Sequence, residues 1–154
     1  VKRNDLTATI RAALDSVREP ERAPAMQAYM KSEMPYLGVR YSPLRLALSP
    51  IFAELEYSNS QEWRTDVLMI WHAAEFREER YAAIELCSAR AARQFQRCRD
   101  RLELYEELIV NGAWWDYVDP VAGALFWPLL RDDRKEMTSA MRGWSRSADI
   151  WNRF

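Results

Sequence analysis

Glycine, histidine, cysteine and lysine are all scarce in this chain, and each scarcity removes a class of chemistry. Four glycines occur in 154 residues, at positions 38, 112, 123 and 143. So scattered a set builds neither a GxGxxG turn nor a P-loop, which argues against dinucleotide-dependent oxidoreduction and NTP hydrolysis. His72 is the only histidine, which excludes zinc sites that need several imidazoles and the HExxH helix. Any Ser-His-Asp or Cys-His unit would have to use it. It follows Trp71 on an apolar helical stretch and reads as a structural histidine. Cys87 and Cys98 form no CxxC pair and no disulfide framework, so they read as small buried hydrophobes of a reduced intracellular protein.

Long apolar runs are missing too. The longest, Val121 to Leu130, is about half of what a bilayer-spanning helix requires. No charged-then-apolar signal segment opens the chain, and the expectation is a soluble, cytoplasmic protein. No stretch alternates with a period of two, so strands are not expected.

Hydrophobic residues make up 49% and charged residues 29%, a globular composition with room for one core of ordinary size. The formal net charge is −1, so no global basic field announces a polyanionic partner. The cations are lopsided, however: three lysines stand against nineteen arginines. Arginine's planar fork suits phosphate, although GC-rich coding gives the same skew.

Helical periodicity runs throughout. Leu6, Ile10 and Leu14 mark a first helix over about Asp5 to Val17. A second is expected from about Pro20 to Met34, broken by Pro35 and Gly38. Ser42-Pro43 reads as the cap and first turn of a third, with Pro50 a kink or division within it. Ser60 is the expected cap of a fourth, carrying Trp63, Val67 and Ile70. A well-marked helix holds Phe95, Cys98, Leu102, Tyr105 and Ile109 and closes at Asn111-Gly112. Helical regions follow over Trp114 to Leu130 and Asp132 to Arg142, and Ser147-Ala148-Asp149 opens a last helix. The expected fold class is all-α: stacked antiparallel helix pairs, as a helical repeat or an irregular bundle.

Three constellations bear on function. Trp114-Trp115-Asp116-Tyr117-Val118-Asp119 is the densest. Trp115 and Asp119 share one helical face, and Trp114 and Val118 the adjoining one. An indole beside a carboxylate suits a cationic guest; a tryptophan anchor followed by an Asp119 cap ahead of Pro120 is the structural alternative. Arg90, Arg93, Arg97 and Arg101 fall on one stripe if that segment is a single helix. Such a row can track phosphates, or it can be a solvated face paired with the bordering Asp100 and Glu107. Around the Gly38 turn, Tyr29, Lys31, Arg40 and Arg45 could grip a backbone or could simply flank an inter-helix elbow.

Four stretches together resemble the AlkD-like DNA alkylation repair family, alkylpurine DNA glycosylases built from HEAT-like helical repeats. They are AYMKSEMPYLGVR (Ala28 to Arg40), ERYAAIELC (Glu79 to Cys87), WWDYVD (Trp114 to Asp119) and GWSRSADIWNR (Gly143 to Arg153), in the family's order. The resemblance implies a right-handed superhelical stack of helix pairs over residues 1–154, with a basic concave groove and further helices of the family fold beyond Phe154. It implies excision of cationic N3- or N7-alkylated purines from double-stranded DNA, by a monomer, without metal or other cofactor. The lesion would stay stacked rather than flip. The site residues so implied are Asp119, Trp115 and Arg153 at the lesion, with Tyr29, Lys31, Arg40, Arg45, Arg90, Arg93, Arg97 and Trp114 toward DNA. The family's later W-x-R-R motif reads Trp151-Asn152-Arg153-Phe154 here, so its functional arginine aligns with Arg153 or with Phe154. Pro120 is a departure that should bias Asp119 away from helical geometry. The rival class is a non-catalytic helical-repeat module that binds DNA or protein.

Overall fold

The computed structural model describes residues 5–95 and 100–153. Among them are ten α-helices and no strand: α1 (Leu6–Asp15), α2 (Ala23–Met30), α3 (Tyr41–Ala53), α4 (Ser60–His72), α5 (Arg77–Ser88), α6 (Asp100–Gly112), α7 (Trp115–Pro120), α8 (Trp127–Asp132), α9 (Arg134–Trp144) and α10 (Ile150–Arg153). A 3-10 turn occupies Arg90–Phe95, and a π-helical segment, Val121–Phe126, joins α7 to α8. The all-α expectation therefore holds. No described helix is long and apolar enough to cross a membrane. The chain divides after Ala92 into two compact units.

In the first unit, α1 packs on α3, α4 and α5, and α4 packs on α5. Leu6, Ile10 and Leu14 are buried, the face their spacing marks out. They meet a core that includes Leu44, Leu48, Trp63, Val67, Ile70 and Leu86. Trp71 is buried as well, with the Arg80 guanidinium 4.8 Å from its ring centroid, a cation–π contact.

Helix ends differ from expectation where side chains outbid local signals. Helix α2 stops at Met30, short of Met34, because Lys31 adopts left-handed backbone with φ of 49°. Helix α3 begins at Tyr41, so Ser42 and Pro43 lie inside its first turn and Ser42 is not the cap. Pro50 sits in the last turn of α3 without dividing it. Asn59, not Ser60, caps α4: its Oδ1 accepts the Glu62 N–H at 2.9 Å, leaving Ser60 as the first helical residue.

The corner between α2 and α3 is closed by α5. Glu78 is fully buried at the start of α5, and its carboxylate accepts three successive backbone N–H groups: Leu37 at 3.0 Å, Gly38 at 2.9 Å and Val39 at 2.9 Å. Gly38 is needed twice over. Its φ is +85°, and a Cβ there would lie 2.1 Å from the Glu19 carbonyl oxygen. The neighbouring Arg77 donates its backbone N–H to the Pro35 carbonyl at 2.9 Å and Nη1 to Ser32 Oγ at 3.0 Å. Glu79, also buried, accepts the N–H groups of Glu75 at 2.6 Å and Phe76 at 3.1 Å, and pairs with Arg11 of α1 at 2.6 Å. Consecutive acids thus serve opposite sides, Glu78 the loop and Glu79 its own helix start.

In the second unit, α6 buries Leu104, Tyr105, Leu108 and Ile109, while Phe95 belongs to the preceding 3-10 turn. Phe126 packs its ring edge-on to Tyr105 (5.4 Å, 85°) and tilted against Trp144 (5.1 Å, 59°). Asp133 caps α9 by accepting the Glu136 N–H at 3.3 Å. Asp149 opens α10 by accepting from Trp151 at 2.8 Å and Asn152 at 3.2 Å. At the end of α6 the glycine signal is displaced by one residue. Gly112 is still helical, and Ala113 takes the left-handed turn with φ of 47°, its N–H bonded to the Ile109 carbonyl at 2.9 Å.

Burial pushes the Glu78 carboxyl above the ordinary carboxylate range, against the opposing pull of its three N–H donors. A carboxyl whose pKa rises on folding favours the fold while protonated. That contribution is present in acid and is lost as pH rises through the raised value. Glu78→Gln removes this titration and leaves one loop N–H facing an amide donor. The expected loss at pH 7 is about 1–3 kcal/mol. Urea unfolding should show the stability gap between parent and variant widening from pH 7 to pH 5; a gap that narrows would contradict the raised pKa.

Candidate active site

The tryptophan-rich motif is positioned by a short, tightly packed entry. Ala113 turns the chain at the end of α6, and Trp114 follows in extended conformation (φ −154°, ψ 146°) as the residue preceding α7. Tyr117 and Val118 are buried and anchor the helix. The anchor explains Gly112: a Cβ there would stand 2.8 Å from Tyr117 Cδ2 and 3.1 Å from its Cβ, so the glycine makes room for a ring.

The faces of α7 then separate as the spacing requires. Trp114 is half-buried, and its ring lies 6.1 Å from that of Trp151 at an interplanar angle of 46°. Trp115, the first residue of α7, is 41% exposed, and Asp119, one turn later on the same face, is exposed. Asp116 lies in the first turn of α7, where the helix dipole favours an acid. Among the described residues the Asp119 carboxylate has no ion-pair or hydrogen-bond partner.

Asp119 is not a cap. The helical path runs from Trp115 through Pro120, whose φ of −61° and ψ of −40° are ordinary helix values, into the π segment and α8. Pro120 therefore does not push Asp119 out of helical geometry. Proline's missing N–H costs one backbone bond to the turn before it, and a wider turn begins directly afterwards.

The second motif is brought to the first. Besides the Trp114–Trp151 contact, Asn152 Nδ2 donates to Glu106 Oε1 of α6 at 3.0 Å. Arg153, in the last turn of α10, is exposed. Phe154 lies outside the described residues.

The remaining candidates divide. In the first unit, Tyr29 is 76% exposed on α2, and Lys31 is exposed at the left-handed turn that follows. Arg40 is exposed but pairs with Glu19 at 3.1 Å. Arg45 is exposed, 3.2 Å from Glu85 and 5.8 Å from the Tyr41 ring centroid. Arg45 and Arg90 both line an open groove of about 650 Å³ whose floor includes Leu48 and Phe52. Tyr41 and Glu85, which the sequence did not single out, complete it. The Tyr41 hydroxyl donates to Glu85; partial burial and that bond push the phenol up to about 12, so it remains a donor at neutral pH.

The arginine row is not one helical stripe. Arg90 and Arg93 are exposed on the 3-10 turn ahead of α6, and Arg97 lies outside the described residues. Arg101 is 2% exposed, packed 5.8 Å from the Tyr105 ring centroid. The regular spacing was read across a break between two elements, and its last member belongs to the core.

The sequence matches the profile of the DNA alkylation repair enzyme family over residues 10–153, nearly its whole length, and the chain belongs to that family. No curated protein matches it. Membership gives the protein a role in DNA repair and makes DNA its substrate.

Gly112→Ala tests the packing that places α7. The added methyl group should favour helix by up to about 1 kcal/mol, but it collides with a buried ring, where overpacking costs about 1–3 kcal/mol. A net loss of stability on thermal unfolding is expected, and Gly112→Ala with Tyr117→Leu should recover part of it. A variant at least as stable as the parent would show that the Tyr117 contact is slack.

Proposed function

We propose that the protein is a monofunctional, metal-free DNA glycosylase for purines carrying positive charge from N3 or N7 alkylation. The observation that carries this reading is the pairing of an exposed indole, Trp115, with an exposed carboxylate, Asp119, one turn apart on α7. The motif containing Arg153 is braced against the same helix entry through Trp151 and Trp114. On this reading both compact units belong to one HEAT-like repeat domain, and Tyr29, Lys31, Arg40, Arg45, Arg90, Arg93 and Arg97 face the duplex with Trp114.

The chemistry suits these groups. Alkylation makes the base a cation and a good leaving group. When the bond from C1′ to the purine breaks, its electron pair neutralises the base and the sugar is left as an oxocarbenium ion. Water then bonds to C1′ and gives up a proton. A fixed carboxylate stabilises the developing positive charge more than it stabilises the ground state, and an indole face attracts both cations. The exchangeable surface pairs Arg40–Glu19 and Arg45–Glu85 cost little to break, so these arginines can turn to phosphates.

The test is release of free base from duplex DNA containing N7-methylguanine, compared with the spontaneous rate. Asp119→Asn should lower single-turnover excision by about 10²-fold, a loss of roughly 3 kcal/mol, with DNA affinity nearly unchanged. Asp116→Asn, at a helix-start position, should excise close to the parent rate. Release at only the spontaneous rate by a parent that binds the duplex would leave the non-catalytic module as the better description. An Asp119→Asn variant as fast as an active parent would remove this carboxylate from the chemistry.

A further inference from the structure

The helical path that carries Trp115 and Asp119 continues past them, and what it presents has no role in the fold. Val121, Leu125, Phe126 and Leu129 are buried on one side, while Ala122, Gly123 and Ala124 are exposed on the other. Trp127 follows, 63% exposed. Among the described residues its ring meets no aromatic or cationic partner and its Nε1 no acceptor. A large indole left in solvent is uncommon in a chain that buries Trp63 and Trp71 completely.

The π segment decides where that indole points. In an unbroken α-helix, eight residues beyond Asp119 would place position 127 about 80° around the axis. A π turn takes up one residue more than an α turn, which offsets about 100°. Trp127 is thereby returned to the face of Trp115 and Asp119, two turns or about 11 Å along the axis. Gly123 lies between them, and a Cβ there would meet nothing within 4 Å. One α-turn after Trp127 comes Arg131. Its guanidinium is 65% exposed and pairs with the adjacent Asp132 at 2.8 Å, a surface pair of little strength. One face thus presents indole, carboxylate, an open gap, indole and cation in succession.

We propose that Trp127 and Arg131 form a second contact on the DNA, at a nucleotide other than the one Asp119 serves. Trp127 packs on a deoxyribose or base face, and Arg131 exchanges Asp132 for a backbone phosphate. Gly123 keeps the intervening helix surface low enough for the strand to pass. The occupant is duplex DNA because the family acts on it, and because an exposed cation beside an indole meets a strand's phosphate and sugar together. The assignment rests on the functional reading above only in placing DNA on this face; it does not require excision.

Binding of a fluorescein-labelled duplex, followed by anisotropy across a range of salt concentrations, separates the two contacts. Trp127→Ala should weaken binding of damaged and intact duplex alike by about tenfold, without changing the slope of log affinity against log salt. Trp127→Phe should restore most of the affinity. Arg131→Gln should weaken binding and reduce that slope by about one. Single-turnover excision at saturating DNA should stay near the parent rate in all three, since none touches the reacting sugar. Trp127→Ala binding within twofold of the parent overturns the proposal. So does an Ala variant that loses affinity only in step with its melting temperature and is not rescued by Phe. A parent that binds duplex without releasing base sinks the glycosylase reading while leaving this contact to be judged by the variants; a parent that binds no duplex sinks both.

Discussion

The first unit hangs on one buried carboxylate. Glu78 gathers the backbone N–H groups of Leu37, Gly38 and Val39 across about forty residues of sequence. Three buried donors without it would each cost about 1–3 kcal/mol, and the turn they belong to has no other means of closure. The chain must leave α2 through the left-handed Lys31, pass beneath Glu19 at Gly38 and enter α3 in the right direction. Each of these steps is local, but the acid that holds them comes from α5. Tyr29, Lys31, Arg40 and Arg45 stand before and after this corner. Their directions are therefore set by a residue that itself never meets solvent.

The second unit solves its problem with rings rather than charge. Gly112 yields space to Tyr117, Tyr117 fixes α7, and Trp114 leaves the helix start to meet Trp151. Trp115 and Asp119 are left on the outer face by subtraction: the positions between them are needed inside. Adjacent tryptophans in one motif thus have divided duties, one a brace and one a surface.

Much of this was legible in the sequence, and the limits were physical. The all-α class, the Leu6/Ile10/Leu14 face and the shared face of Trp115 and Asp119 follow from periodicity alone, because a 3.6-residue repeat carries its own geometry. The resemblance marked Trp114 to Asp119 and Gly143 to Arg153 as belonging to one site, and Trp114 does meet Trp151. What failed was long-range or context-bound. Nothing near Glu78 announces three donors forty residues away; two acids at a helix start look like solvated first-turn residues. Arg101 keeps stripe spacing yet is buried, because spacing cannot detect the interruption between Phe95 and Asp100. Pro120 reads as a helix boundary by rule, and here a widened turn takes up its cost.

That widened turn has a consequence for how the chain tolerates changes in length. Removing one residue from Ala122–Ala124 would convert the π turn to an ordinary one with no backbone bond left over, so locally the deletion is nearly neutral. It would also rotate everything downstream by about 100°, swinging Leu129 and Met137, both buried, away from the interior they fill. The extra residue is therefore held in place by apolar side chains that come after it. A deletion scan through this segment would register its damage in the packing of α8 and α9 rather than at the site of the cut.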